Sequence, residues 1–418
     1  MWHVAAGRMP YEGVLWSFSR WLASIFVGCD SFVSQTPRLL NDSDEDGFLR
    51  DPLTREEDRD ELLKRLLLAT LQDSEIAMEI GTFAGIPAVM VCGATGIEAG
   101  RAMRSVLPRL YAIAAPMIYV CGGASIYRGV LGAVSRYDIE HHSWDVVAPM
   151  PTARRLCAAT ASGGLLYVLG GEQEGYDTVP LFYSELVSRR YHQLDTAECF
   201  DPFKGRWASL PPMPTARAGG AATAAAGMIY ALGGRINETI HALVERFDPA
   251  VCRWERVVSM PSARSGCVAV TLFGMVYVLG GKVPSGHILP VVERFEPATG
   301  WWQIMPDMRS PRSAFAAATL GGKIYAAGGF NGVEGIDAME SFDPDTGIWE
   351  VAVRLSTWRI GGTAVVACGQ LFILGGKSGH ESDGVCEALD TQSQRWTSLP
   401  QIPDRHVYCA GGALIGRD

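Results

Sequence analysis

The chain has 418 residues, 47 of them glycine, and a formal charge of −9 at pH 7. Glycine above average usage without collagen periodicity points to many turns and a β-rich fold, and the acidic balance offers no basic surface to displace counterions from phosphate, which argues against nucleic-acid binding. The 10 cysteines include no CxxC pair, so a disulfide framework or zinc knuckle is disfavoured; reduced thiols and a cytoplasmic location are the expectation.

Residues 1–110 form a separate N-terminal region, partly helical or disordered, with 16 acidic against 11 basic residues. The apolar run at 16–27 is broken by Arg20, so it reads as neither a clean signal peptide nor a membrane span. Asp42, Asp44, Asp46 and Gly47 imitate the start of a calcium loop, but its twelfth position is Leu53 rather than a bidentate glutamate, which leaves an acidic linker. Over 54–80 a helix is predicted, because "TREE" makes a capping box and Leu62, Leu63, Leu66, Leu67 and Leu71 share one face. The glycine turn in "AVMVCGATGIEAG" (88–100) stands too close to the next segment for a dinucleotide-binding sheet.

From residue 111 to the C-terminus the chain is periodic. "MIYVCGG", "LLYVLGG", "MIYALGG", "MVYVLGG", "KIYAAGG" and "QLFILGG" recur, with first glycines at Gly122, Gly170, Gly233, Gly280, Gly328 and Gly375. Tryptophans follow in step at Trp144, Trp207, Trp254, Trp302, Trp349 and Trp396. Ten residues after the first five stand Arg154, Arg217, Arg264, Arg312 and Arg359; nine after the sixth stands Arg405. Nine before five of them stand Glu198, Glu245, Glu293, Glu340 and Glu387, with Ser135 in the first copy. Constant intervals mean one repeated supersecondary unit. Its short Val, Ile, Tyr and Ala runs, bounded by Gly, Pro, Asp and Asn, read as strands, in the third copy at 219–225, 228–232, 241–247 and 253–258. Four antiparallel strands make a propeller blade, so an all-β, six-bladed ring is predicted. The uncharged stretch 218–234, "AGGAATAAAGMIYALGG", is then two buried strands rather than a membrane segment.

The double glycines, the Glu-to-Trp spacing and the segments "PMPTAR" and "MPSAR" resemble kelch repeats over about 300 residues. This resemblance implies a protein-interaction module, of scaffold or substrate-recognition type, holding a partner segment on its loop face. Ubiquitin-ligase and cytoskeletal partners are implied by the same resemblance, although no BTB, BACK or F-box pattern accompanies it. Some kelch-like propellers are enzymes, so the alternative is a carbohydrate-active or metal-dependent enzyme with its site in the channel. Five histidines (His192, His241, His287, His380 and His406) fall near one face, but none has HxH or HxxxH spacing, and neither cofactor nor metal is expected.

The two ends of the periodic region complement each other. The first double glycine lacks an arginine upstream, while "RHVYCAGGALIG" (405–416) starts a repeat and stops. A strand over 406–415 should therefore close the ring beside residues 117–122; the rival is a strand at 110–114.

The arginines, with Arg405 as sixth, should encircle the channel mouth, either binding loop carbonyls and the repeated glutamates or forming a positive collar for an acidic peptide or carboxylate. Residues after each double glycine join that face: Ala124, Ser125, Glu172, Arg235, Asn237, Lys282, Phe330, Asn331, Lys377 and Ser378. They differ between copies, as a recognition surface would. The long second interval, between Gly171 and Glu198, is a candidate interaction loop rich in tyrosine beside Arg189 and Arg190.

Overall fold

The computed structural model describes residues 116–125, 127–181, 184–379, 384–391 and 393–415, with backbone alone for 176–181, 184–189 and 415. The helix expected over 54–80, the acidic linker, the glycine turn at 88–100 and the rival closing strand at 110–114 lie outside these residues.

Six four-stranded antiparallel sheets form the blades of a propeller. Blade 3 shows how the sequence builds one. Ala221–Ala225 pairs with Met228–Leu232 across Ala226 and Gly227, both at positive φ (51° and 75°), the twist a two-residue hairpin requires. Val244–Asp248 and Arg253–Val257 complete the sheet outward. The inner strand starts two residues later than the predicted 219, because Gly219 is used in a different contact described below. Small alanines face the crowded axis while Ile229, Tyr230 and Leu232 fill the space between blades, all at most 1% exposed. Within five blades an aromatic ring on the third strand packs on the tryptophan of the fourth, as for Phe247 and Trp254 at 5.1 Å between centroids. In those same blades the indole N–H reaches the preceding blade, Trp254 Nε1 donating to Pro211 O at 2.8 Å.

Blade 1 is built from both ends of the periodic region. Ala410–Ile415 is its inner strand and pairs with Pro116–Cys121 from Pro116↔Ile415 to Cys121↔Ala410; Val134–Asp138 and Ser143–Val147 lie outside it. The expected C-terminal closure is thus present, starting at Ala410 rather than 406.

Residues just before each inner strand make a second closure. Leu156, Gly219, Gly266, Ala314, Gly361 and Tyr408, all at positive φ, form a head-to-tail cycle of backbone hydrogen bonds in which each N–H donates to the carbonyl of the previous blade. The link from Leu156 N to Tyr408 O (3.0 Å) joins the ends, and Tyr408 N to Gly361 O (2.7 Å) ties the closing segment to blade 6. These backbone groups are paired only if all six blades are in place, which makes the ring cooperative.

Candidate functional site

The mouth of the channel is assembled by the segments that enter the inner strands and the loops that leave the second strands. Arg154, Arg217, Arg264, Arg312 and Arg359 stand in the entering segments, at most 4% exposed. Each forms an ion pair with the glutamate of its own blade: Glu198 at 3.0 Å, Glu245, Glu293 and Glu340 at 2.7 Å, and Glu387 at 2.9 Å. Each guanidinium also donates to the carbonyl of the first glycine of its pair, Arg312 reaching Gly328 O at 2.7 Å. The arginine's own carbonyl accepts from the second glycine of the previous blade, as Arg264 O does from Gly234 N at 2.9 Å. One residue thereby bolts two blades together. The glycine is required by this approach: a Cβ on Gly233, at φ 59°, would lie 2.5 Å from Arg264 O. Of the two roles open for the arginines, blade cohesion is the one these contacts serve.

The sixth position differs from the expectation. Ten residues after Trp396 comes His406, and it is His406, 0% exposed, whose carbonyl binds Gly376 N and whose ring reaches the Gly122 carbonyl and Ser135. Arg405 precedes it and is half-buried. The Arg and Glu of the other blades are replaced together, by His406 and Ser135, so no buried charge is left unmatched.

Charge that reaches solvent at the mouth comes from the variable positions. Glu172, fully buried, is gripped by Arg155 at 2.7 Å and Arg235 at 2.8 Å, the two arginines being 24% and 33% exposed. Arg155 also stacks over Tyr191, 3.7 Å from the ring centroid. Two guanidiniums on one carboxylate leave a net positive charge, and exposed Lys282 extends it to blade 4. Asn237 is exposed, its backbone N–H held by Gln193 Oε1. Phe330 and Asn331 are half-buried, Asn331 Oδ1 capping the N–H groups of Val333 and Glu334. Exposed Lys377 and half-buried Ser378 lie on blade 6, and Ser378 borders a cleft of 580 Å³ with Glu334, Asp337, Ser356 and Trp358. The Trp358 ring packs against Gly335, where a Cβ would come within 2.3 Å of it. Ala124 and Ser125 pair back with Gly129–Val130, and Ser125 is buried.

The long interval after Gly171 is a two-stranded hairpin, Glu172–Leu181 with Ser184–Gln193, paired from Glu172↔Gln193 to Leu181↔Ser184. Its base is the Glu172, Tyr191 and Gln193 corner just described. Among the described histidines, His287 bonds Ser285 and His141 pairs with Asp138, while burial, reinforced by Arg217, keeps His241 below its usual proton affinity. His380 lies outside the described residues. Among the described residues no three His, Cys, Asp or Glu side chains are grouped to hold a metal ion.

Sequence reasoning missed Arg155 and Trp358, and named His406 among the histidines of this face without giving it the sixth socket. Arg155 and Trp358 directly flank repeat arginines at positions that vary between copies, so periodicity passes over them. Counting ten residues rather than seeking an arginine would have placed His406 there.

Two family models match the chain: the kelch motif over residues 153–214, and the KLHDC2/KLHL20/DRC7 kelch-repeats domain over 219–410. Human Kelch-like protein 33 is 29% identical over 124 residues, 29% of this chain and 20% of that protein. Beta-scruin of Limulus polyphemus is 30% identical over 28% of this chain and 12% of its own length, and an F-box/kelch-repeat protein of Arabidopsis thaliana is 32% identical over 29% and 28%. The chain thus spans well under a third of these curated relatives. The solved structure titled "Structure of YjhT" superposes with a TM-score of 0.54 at 16% identity, covering 64% of this chain and 91% of that one, which supports the fold alone. Repeat pattern, blade geometry and both family models agree: the chain belongs to the kelch-repeat family.

Proposed function

We propose that this propeller is a protein-interaction module of scaffold or substrate-recognition type, holding a partner segment across the channel mouth. The supporting observation is the division of labour between positions: five buried Arg–Glu sockets repeat one framework, while the exposed residues beside them are unlike. Architecture explains the sockets but does not require the residues at the mouth to differ from blade to blade. Arg155, Arg235 and Lys282 suit an acidic stretch of that segment, and the Trp358 cleft takes a neighbouring side chain. Ubiquitin-ligase components and cytoskeletal proteins are the first partner classes to test, given relatives named F-box/kelch-repeat protein and scruin. The eight described cysteines are all free thiols, six of them buried, which fits a cytoplasmic setting. No helix among the described residues is long and apolar enough to cross a membrane.

Affinity capture with the full chain tests this reading. Proteins retained by wild type should be lost from the exposed-residue double variant Lys282→Glu, Lys377→Glu and kept by Arg206→Glu, a change on the outer strand of blade 2. Identical retention by the mouth variant and wild type would overturn it.

A further inference from the structure

The blade 1 socket is the one described place where the repeated ion pair is absent, and it lies where the ring closes. The Gly122 carbonyl can only accept, so His406 Nδ1 carries the proton and donates to it. Nε2 is then a lone pair facing Ser135 Oγ at 3.4 Å, and the hydroxyl donates to it. A neutral imidazole satisfies both partners. A protonated one would be a buried cation with no carboxylate of its own, in a socket whose five counterparts each supply a glutamate.

The surroundings offer no compensation. In its own segment Asp404 attracts a proton toward His406, but that carboxylate is committed to Arg128 at 2.7 Å, and Arg405 is cationic. Arg154, entering blade 2, is cationic and holds Glu198. Arg359 of blade 6 holds Glu387. The thiols of Cys121, Cys157, Cys386 and Cys409 are pushed up by burial and stay neutral in this range. Burial outweighs both the hydrogen bond to the Gly122 carbonyl and the pull of Asp404, and holds the imidazole below its ordinary proton affinity.

We propose that the His406–Ser135 socket is a proton-sensitive latch: the propeller closes on a neutral imidazole, and mild acid loosens the pairing of Ala410–Ile415 with Pro116–Cys121 before it loosens the histidine-free blade 5. An unfolded or opened segment takes up the proton near pH 6.5, whereas the closed socket resists it to lower pH. Between these limits the open state binds more protons, so closure strengthens as pH rises and weakens as it falls. The other five sockets hold arginine, which stays charged throughout; His241 beside the Arg217–Glu245 pair is also held below its usual affinity, so the reference for the response is a blade without histidine.

Hydrogen exchange of the full chain at pH 7.5 and 5.5, corrected for intrinsic rates, tests the latch. Blade 5, Ala316–Leu320 with Lys323–Ala327, contains no histidine and serves as the internal reference. In wild type the two closing strands should lose about tenfold more protection than blade 5 on acidification. The double variant Ser135→Glu, His406→Arg, which copies the other sockets, should lose that difference. If it fails to fold, Ser135→Glu alone places a carboxylate beside the imidazole and should reverse the sign, the closing strands gaining protection at pH 5.5. Parallel behaviour of the closing strands and blade 5 in wild type, or an unaltered seam-specific loss in the variants, would overturn the proposal.

Discussion

Blades 1 and 3 have the same four-stranded plan but are held differently. Blade 3 is one continuous stretch of chain: its hairpin needs only local pairing, and its socket is a buried Arg217–Glu245 pair at 2.7 Å. Blade 1 joins strands nearly 300 residues apart, and its socket is neutral. The long-range strand must bear a large loop-closure entropy that a local hairpin avoids. Its contacts do more than pair one sheet, because Tyr408 completes the backbone cycle and Trp144 Nε1 reaches Pro400 O of blade 6 at 2.8 Å. The lesson is that ring cohesion is collective, yet one joint carries it.

The most severe way to break this comparison is to delete residues 405–418. That removes the inner strand of blade 1, the histidine socket and two links of the backbone cycle, and should abolish cooperative urea unfolding followed by circular dichroism; a truncated chain with the full-length midpoint would show that blades 2 to 6 stand alone. Next in size is Arg312→Ala, which leaves Glu340, 1% exposed, as a buried charge without its partner and should cost roughly 3–5 kcal/mol in denaturant stability. A loss under about 1 kcal/mol would mean that the sockets contribute little cohesion. The finest distinction compares two tryptophans. Trp254 has the Phe247 ring and the Pro211 carbonyl, whereas Trp396 faces Leu389 and its buried indole N–H has no partner among the described residues. Trp254→Ala should cost roughly 3–5 kcal/mol and Trp396→Ala about 1–2 kcal/mol less, read as the difference between midpoints.

Much of the fold was legible because each repeat states its strands and turns six times over, and Met228–Leu232 fell where the pattern put it. Inner-strand starts were misplaced by two to four residues, since nothing local in 219–220 or 406–409 announces a hydrogen bond to a neighbouring blade. The site was harder to read. Burial of the five arginines depends on which carboxylate lies opposite, a fact of packing between segments roughly 28 to 44 residues apart. Arg155 gave no signal because its meaning comes from Glu172 and Tyr191, brought to it by the hairpin.

By itself the sequence determined the blade count and the four-strand unit, and pointed to closure by the C-terminal segment, because periodicity and strand alternation are properties of the order of residues. Only the tertiary structure decided that the arginines are buried bolts, that His406 and Ser135 share one socket, and that Arg155 and Trp358 stand at the mouth beside Arg235 and Lys282, which the repeat pattern had already placed there. Those outcomes follow from desolvation and from which groups meet across blades, and neither is written in any single repeat.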